Sequence, residues 1–119
     1  MVRAVRGATT VEINNTDEII RETEELLKKI IEENSIETDD IISVFFSVTK
    51  DLDAVFPAVA ARRLGWTNIA LMCTNEIDVP GSLEKCIRVL IHFNTNKKNE
   101  EMKYIYMKRA KSLRPDLTE

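Results

Sequence analysis

Cysteine and histidine are scarce in this chain of 119 residues, which has two cysteines, Cys73 and Cys86, and one histidine, His92. Two cysteines are too few for a disulfide scaffold, and a single histidine adds no obvious zinc site. We therefore expect no metal, unpaired thiols and a reducing compartment, the cytoplasm.

Glycine is also rare, and none of Gly7, Gly65 and Gly81 begins a glycine-rich phosphate loop. No nucleotide cofactor is therefore expected. A Ser, His and Asp triad is not indicated either, because His92 lies in the middle of a predicted strand, where a packed or solvated histidine is the usual finding.

Long apolar runs and an excess of positive charge are both missing. No stretch approaches the roughly 20 apolar residues of a membrane helix, and none follows the arginines near the N-terminus, so we expect neither a membrane protein nor an exported one. The net charge is -3, from 17 Lys and Arg against 20 Asp and Glu. No global field favours nucleic acid, and an anionic ligand would need a local cluster of cations.

The chain does have enough apolar material, 44%, for one core, and it shows no repeat or linker. We expect a single domain over residues 1–119. Its first half predicts a strand over residues 2–11, a helix from about Thr16 to Asn34 capped by Asn15, and a strand over residues 41–49 with Ile42, Val44, Phe46 and Val48 on its buried face. The acidic run along the helix, which includes Glu22, is expected to be solvated.

The second half predicts a short helix opened by Pro57 and closed by Gly65, a short strand over residues 69–72, and a strand over residues 86–94. In that last strand Arg88 alternates with residues suited to burial. Residues 102–107 fit a short helix or a strand, and residues 108–119 are expected to be a charged, mobile tail. This order predicts an α/β domain, with a mixed sheet of the α+β kind.

Arginine stands at three unusual places: Arg6 and Arg88 on strands, and Arg114 in an apolar stretch of the tail. Its fixed, charged fork suits carboxylates. A surface position is the simpler reading for each alone, although for Arg88 the two readings are equally good. By themselves, these residues indicate an anion-binding domain.

Several segments, taken in order, resemble the trimeric chorismate mutase family over nearly the whole chain. They are Arg3-Ala4-Val5-Arg6-Gly7-Ala8-Thr9-Thr10, Thr49-Lys50-Asp51-Leu52-Asp53-Ala54-Val55-Phe56-Pro57-Ala58, Cys73-Thr74-Asn75-Glu76-Ile77-Asp78-Val79, Cys86-Ile87-Arg88-Val89 and Leu113-Arg114-Pro115-Asp116-Leu117. Together they are highly specific.

The resemblance implies a cofactor-free enzyme that rearranges chorismate, a dianion, to prephenate. It implies a mixed sheet with helices on one side and a homotrimer that forms a pseudo-α/β barrel, with active sites between subunits. Arg88, Glu76 and Cys73 match the family's catalytic positions. The substrate-binding matches are Arg6, Tyr106, Phe56, Ala58, Arg62, Leu113 and Arg114, of which Phe56, Ala58 and Arg62 border the adjoining subunit.

Two departures from the family pattern concern the edge of the site. Val59 stands where the family can carry a lysine, and Arg109, Lys111 and Ser112 replace small and apolar residues before Leu113. Two other functions stay open at this point: an enamine or imine deaminase on the same trimeric fold, and a non-catalytic metabolite-binding module.

Overall fold

The structure is a computed structural model that describes residues 1–113. Its strands are β1 (Val2–Thr10), β2 (Ile41–Val48), β3 (Ala70–Asn75), β4 (Cys86–Asn94) and β5 (Ile105–Tyr106), and its α-helices are α1 (Thr16–Glu33) and α2 (Ala58–Arg63). Three short 3-10 turns, Thr38–Asp40, Asn99–Glu101 and Lys108–Leu113, complete these elements.

The five strands form one mixed sheet in the order β3-β2-β4-β1-β5. Strand β4 runs antiparallel to both of its neighbours, whereas β2 is parallel to β3 and β1 is parallel to β5. The predicted mixed sheet of an α/β domain is thus confirmed.

Helix α1 begins where its cap residue predicts. The Asn15 side chain accepts a hydrogen bond from the backbone N–H of Glu18 at 3.0 Å, which satisfies one of the free donors of the first turn. The Glu18 carboxylate does not return the bond to Asn15; it accepts from the backbone N–H of Glu12 at 2.8 Å. The cap therefore also fixes the chain that enters the helix.

Both α-helices cover the same face of the sheet, which we call the helix-side face. Leu26, Leu27 and Ile30 of α1 and Ala58 and Ala61 of α2 lie in one buried cluster with inward side chains of β1, β2 and β4. Close approach of α1 to β1 depends on Gly7, because a Cβ there would lie 2.6 Å from the Ile30 Cδ1 atom. The core thus occupies one layer between helices and sheet.

The other face of the sheet, which we call the open face, carries no α-helix among the described residues, although the 3-10 turn Lys108–Leu113 packs over Ala8 and Cys86 at one end of it. Phe45 and Met72, neighbours in the register of β2 and β3, are 38% and 56% exposed there. Since side chains alternate along a strand, Arg6, Arg88 and Leu90 point to this face as well.

One prediction for β2 is wrong in detail. Ile42 was expected on the buried face with Val44, but it is 43% exposed, and Ile41 is buried instead. The cause is a register shift between Ile41 and Ser43 in the pairing with β4. Such a bulge changes the face to which the flanking side chains point.

Glu22 also departs from expectation, because it is 7% exposed rather than solvated. Its carboxylate lies 3.6 Å from the Lys108 ammonium and 3.7 Å from the Arg21 guanidinium. The sequence could not show this pairing, since Lys108 is brought to the helix only by the fold.

The segment after β5 was expected to be a tail, but its first part belongs to the folded domain. Lys108–Leu113 forms a 3-10 turn in which Ala110 is fully buried. Arg109 anchors it: its backbone N–H donates to Thr10 Oγ1, and its guanidinium donates to the Val11 carbonyl, both at 3.2 Å. A residue that departs from the family pattern therefore fixes this segment rather than loosening it.

Candidate active site

A row of side chains crosses the open face through three neighbouring strands. Tyr106 of β5 is in register with Ala8 of β1, Ala8 is in register with Arg88 of β4, and Arg88 is in register with Ser47 of β2. With about 4.8 Å between strands, the backbones of Tyr106 and Arg88 are separated by about 10 Å. Ala8, which stands between them, is fully buried in a cluster with Tyr106 and Ala110, so the accessible part of the row is Arg88, whose side chain is 35% exposed.

Arg88 and Glu76 form an ion pair at one end of this row. The Arg88 Nε atom lies 3.3 Å from Glu76 Oε1, with the two side chains 35% and 25% exposed. Glu76 follows β3 directly, and its backbone N–H donates to the Val48 carbonyl at 2.8 Å. The carboxylate is thereby held against the guanidinium, which leaves the remaining Arg88 donors for other partners.

Two polar atoms of the row are buried without a hydrogen-bond partner among the described residues: Arg88 Nε and the Tyr106 hydroxyl. The Arg88 Nε atom is within ion-pair distance of Glu76 but is not aligned for a hydrogen bond. Three other such atoms, on Thr9, Glu22 and Thr23, belong to the helix side.

Arg6 and Leu113 extend the same surface. Arg6 lies on β1 two residues before Ala8, is half-buried, and pairs in register with Leu90. No hydrogen bond or ion pair engages its guanidinium within residues 1–113. Leu113 packs against the small cluster of Ala8, Tyr106 and their neighbours. The structure thus brings together Arg6, Glu76, Arg88, Tyr106 and Leu113.

Cys73 and Phe56 lie elsewhere. Cys73 is in register with Phe46 and packs with the helix-side core, so its side chain is on the face opposite to Arg88. With Phe56, which is 69% exposed, it lines a cleft of about 510 Å³ beside the end of β3. The role predicted for Cys73 stays a prediction.

Helix α2 places the remaining predicted residues near that cleft. Ala58 is buried in the core, and Arg62 is exposed in the last turn. Arg114 lies outside the described residues. The chain therefore carries two groups of predicted site residues, one on the open face and one beside α2.

Cys86 was not singled out from the sequence. Of the two cysteines, it is Cys86 rather than Cys73 that shares a face of the sheet with Arg88. Burial raises the pKa of the Cys86 thiol to about 11, and the negative charge of Glu76 adds to the rise, although the positive charge of Arg88 opposes it. The thiol is therefore protonated at neutral pH. The signal was present in the sequence, since Cys86 and Arg88 are two residues apart on one strand and share a face.

Neither a metal cluster nor a membrane helix is found in the part of the chain that the structure describes. No three His, Cys, Asp or Glu side chains there lie together as potential ligands. No helix in residues 1–113 is both long and apolar enough to cross a bilayer.

Comparison with known proteins finds a protein family that matches this chain. The family model described as chorismate mutase type I matches residues 2–117. It thus spans every strand and helix described above, together with the predicted site residues.

The individual proteins that are similar to this chain are also chorismate mutases. Chorismate mutase AroH of Bacillus subtilis (strain 168) is 44% identical over 119 residues, covering 99% of this chain and 94% of that protein. Chorismate mutase AroH of Thermus thermophilus is 43% identical over 118 residues, covering 98% and 97%. The solved structure of a chorismate mutase from Clostridium thermocellum is 62% identical, with a TM-score of 0.91 over 92% of this chain and 98% of that one. These comparisons favour neither the deaminase nor the binding module.

Proposed function

This chain belongs to the chorismate mutase type I family, and from that membership we propose how its own residues carry out the reaction. It is an isomerase that converts chorismate to prephenate. One ether C–O bond breaks while one C–C bond forms within the same molecule, so no atom is gained or lost. The protein must therefore hold the substrate in its reactive, folded conformation and place a positive charge where negative charge develops in the transition state.

We propose Arg88 as the group that stabilises the transition state. Negative charge grows on the ether oxygen as its bond breaks, and a fixed cation beside that atom lowers the barrier. The observation that carries this assignment is the Arg88 guanidinium on the open face, 35% exposed, with its Nε atom beside Glu76 and its other nitrogens left for the substrate. Glu76, at 3.3 Å, orients the guanidinium.

The other open-face residues hold the substrate in its reactive conformer. Arg6 and Tyr106 lie on the same face of the sheet as Arg88 and offer donors to the carboxylates and the ether side of the dianion. Glu76 accepts a hydrogen bond from the ring hydroxyl, and we assign it no role as a base. Holding a flexible molecule at several points removes part of the entropic barrier.

A homotrimer completes the site in this proposal. The open face exposes apolar Phe45 and Met72, and a two-layer domain is stable when such a surface is covered. Phe56 lines a separate cleft and Arg62 is exposed in the last turn of α2, where they can complete the site of a neighbouring copy. Three copies around one axis would pair the two groups of residues in each of three sites.

The mechanism needs no metal, nucleotide or covalent intermediate, and we place the protein in the cytoplasm. Both cysteines, Cys73 and Cys86, are free, which suits a reducing compartment.

To test the function, purified wild-type protein is incubated with chorismate, and the disappearance of chorismate is measured. We expect stoichiometric conversion of chorismate to prephenate, at a rate unchanged by a chelator. Chorismate that binds without being consumed would show a binding module, and ammonia released from an enamine substrate would show a deaminase.

A further inference from the structure

A hydrogen-bond network joins the turn after β2 to the start of β4. The Asp51 carboxylate accepts from the Thr49 hydroxyl at 2.5 Å and from the Lys85 backbone N–H at 3.0 and 3.2 Å. The Thr49 hydroxyl in turn accepts from the Cys86 N–H at 3.0 Å, and the Thr49 N–H donates to the Cys86 carbonyl at 3.1 Å. One carboxylate and one hydroxyl thus hold the two residues at which β4 begins.

Lys85 needs such support, because its backbone has a φ of 49°. That left-handed conformation is uncommon for residues other than glycine and costs energy unless the surroundings hold it. The two oxygens of Asp51 stabilise it by accepting the Lys85 N–H, and hydrogen bonds to a charged acceptor are about twice as strong as neutral ones.

The same residues determine where Arg88 points. Cys86 follows Lys85 directly, and its buried side chain lies on the same face of β4 as Arg88. Arg88 lies two residues further on the same face of β4. A shift at Lys85 therefore moves both the strand that carries Arg88 and the thiol beside it.

We propose that Asp51 is a positioning residue for Arg88, acting through Thr49 and the left-handed Lys85. Asp51 does not touch the substrate in this scheme. The inference rests on the role of Arg88 proposed above. Its signature is a loss of turnover with little change in KM, because the ether-oxygen contact matters most in the transition state.

The first test replaces Asp51 by Asn and by Ala. A displacement of about 1 Å in a catalytic group can cost about 10²-fold in rate, so we expect kcat to fall about tenfold or more, with KM changed less than about threefold. The control is Asp39→Ala, because Asp39 is an exposed carboxylate in the 3-10 turn Thr38–Asp40, at the end of β2 opposite to Thr49 and Asp51. That variant should keep wild-type turnover.

A second test uses Thr49 and remains informative if the Asp51 variants do not fold. Thr49→Val keeps the shape but removes the hydroxyl that links Asp51 to Cys86, so kcat should fall. Thr49→Ser restores a hydroxyl and should recover most of it. Equal turnover in Thr49→Val and Thr49→Ser, both folded, would overturn the proposal.

A third test separates failure of this inference from failure of the Arg88 assignment. Adding Asp51→Asn to Arg88→Ala should cause no further loss of kcat, because the residue that Asp51 positions is already gone. If Asp51→Asn lowered kcat in the Arg88→Ala background as much as it does in the wild type, Asp51 would act by another route and the inference would be overturned. Near-normal turnover in Arg88→Ala alone would instead refute the Arg88 assignment and, with it, the role given to Asp51.

Discussion

At the scale of single residues, Arg88 and Cys86 show how one strand serves both the core and the site. Alternate residues of β4, such as Val89 and Ile91, enter the helix-side core, while Cys86 and Arg88 face the opposite side. The rigid core thus fixes the direction of the guanidinium.

Replacing Arg88 should impair turnover far more than binding. Removing one preorganised donor costs about 10² to 10³ in rate, so Arg88→Ala should be nearly inactive. Arg88→Lys keeps the charge but loses the fork, and we expect it to recover only a small part. Turnover and melting temperature should be measured on the same preparations.

If Arg88 were only a structural strand residue, both variants would melt at lower temperature and lose activity in proportion. A folded Arg88→Ala protein with near-normal turnover would contradict the mechanism.

Cys86 should make the protein less stable at alkaline pH. Its thiol has a pKa of about 11 in the fold against an ordinary 9.0. Between these values the unfolded chain has lost the proton that the folded chain retains, so stability falls as pH rises from 9 to 11, by up to about 3 kcal/mol. Below pH 9 the contribution is fully present.

Urea unfolding at several pH values should show this fall in the wild type and a shallower one in Cys86→Ala. Parallel curves for the two proteins would mean that the thiol does not govern alkaline stability.

At the scale of elements, strong local patterns were predictable from the sequence and weak ones were not. Helix α1 was expected to end at Asn34 and ends at Glu33, and β4 has its expected bounds, because caps and alternation act locally. Strand β3 was expected to end at residue 72 but continues to Asn75, because its polar end also pairs with β2. The sequence left residues 102–107 open between helix and strand, because only Ile105 and Tyr106 pair with β1.

The site was less predictable from pattern than the elements were. The resemblance named Arg6, Arg88 and Tyr106, but their common face follows from the register of three strands that lie far apart in the sequence. Asp51 and Lys85 carry no local signal, because their contact exists only after β2 and β4 have paired.

Gly7 sets the distance between α1 and β1, and an added methyl group should be costly. A Cβ at this position meets Ile30 Cδ1 at 2.6 Å and the Ile105 carbonyl at 3.0 Å. Overpacking of this kind costs about 1–3 kcal/mol, and we expect Gly7→Ala to lose that much in urea unfolding. Adding Ile30→Val, which removes the clashing Cδ1 atom, should cost less than the sum of the two single changes.

At the scale of the whole molecule, the open face determines the assembly that we propose. Met72 is 56% exposed there, and Ile13, at 63%, is a matched exposed residue outside the sheet. A charge at Met72 would be buried without a partner in the trimer, so Met72→Asp should dissociate it and abolish activity. Ile13→Asp should remain trimeric and active.

Analytical ultracentrifugation and the chorismate assay on the same samples test this prediction. A fully active Met72→Asp monomer would show that one chain holds a complete site.

The position of β1 in the sheet has a consequence for how the chain folds. This strand is formed from residues 2–10, yet its neighbours are β4 and β5, formed from residues 86–94 and 105–106. During synthesis, β1 must therefore wait for about eighty further residues before its first strand partner exists. Pairings so distant in sequence close large loops at high entropic cost, which slows folding. The nascent chain thus keeps the edges of β1 unpaired until β4 has been made, and unpaired strand edges of this kind favour aggregation.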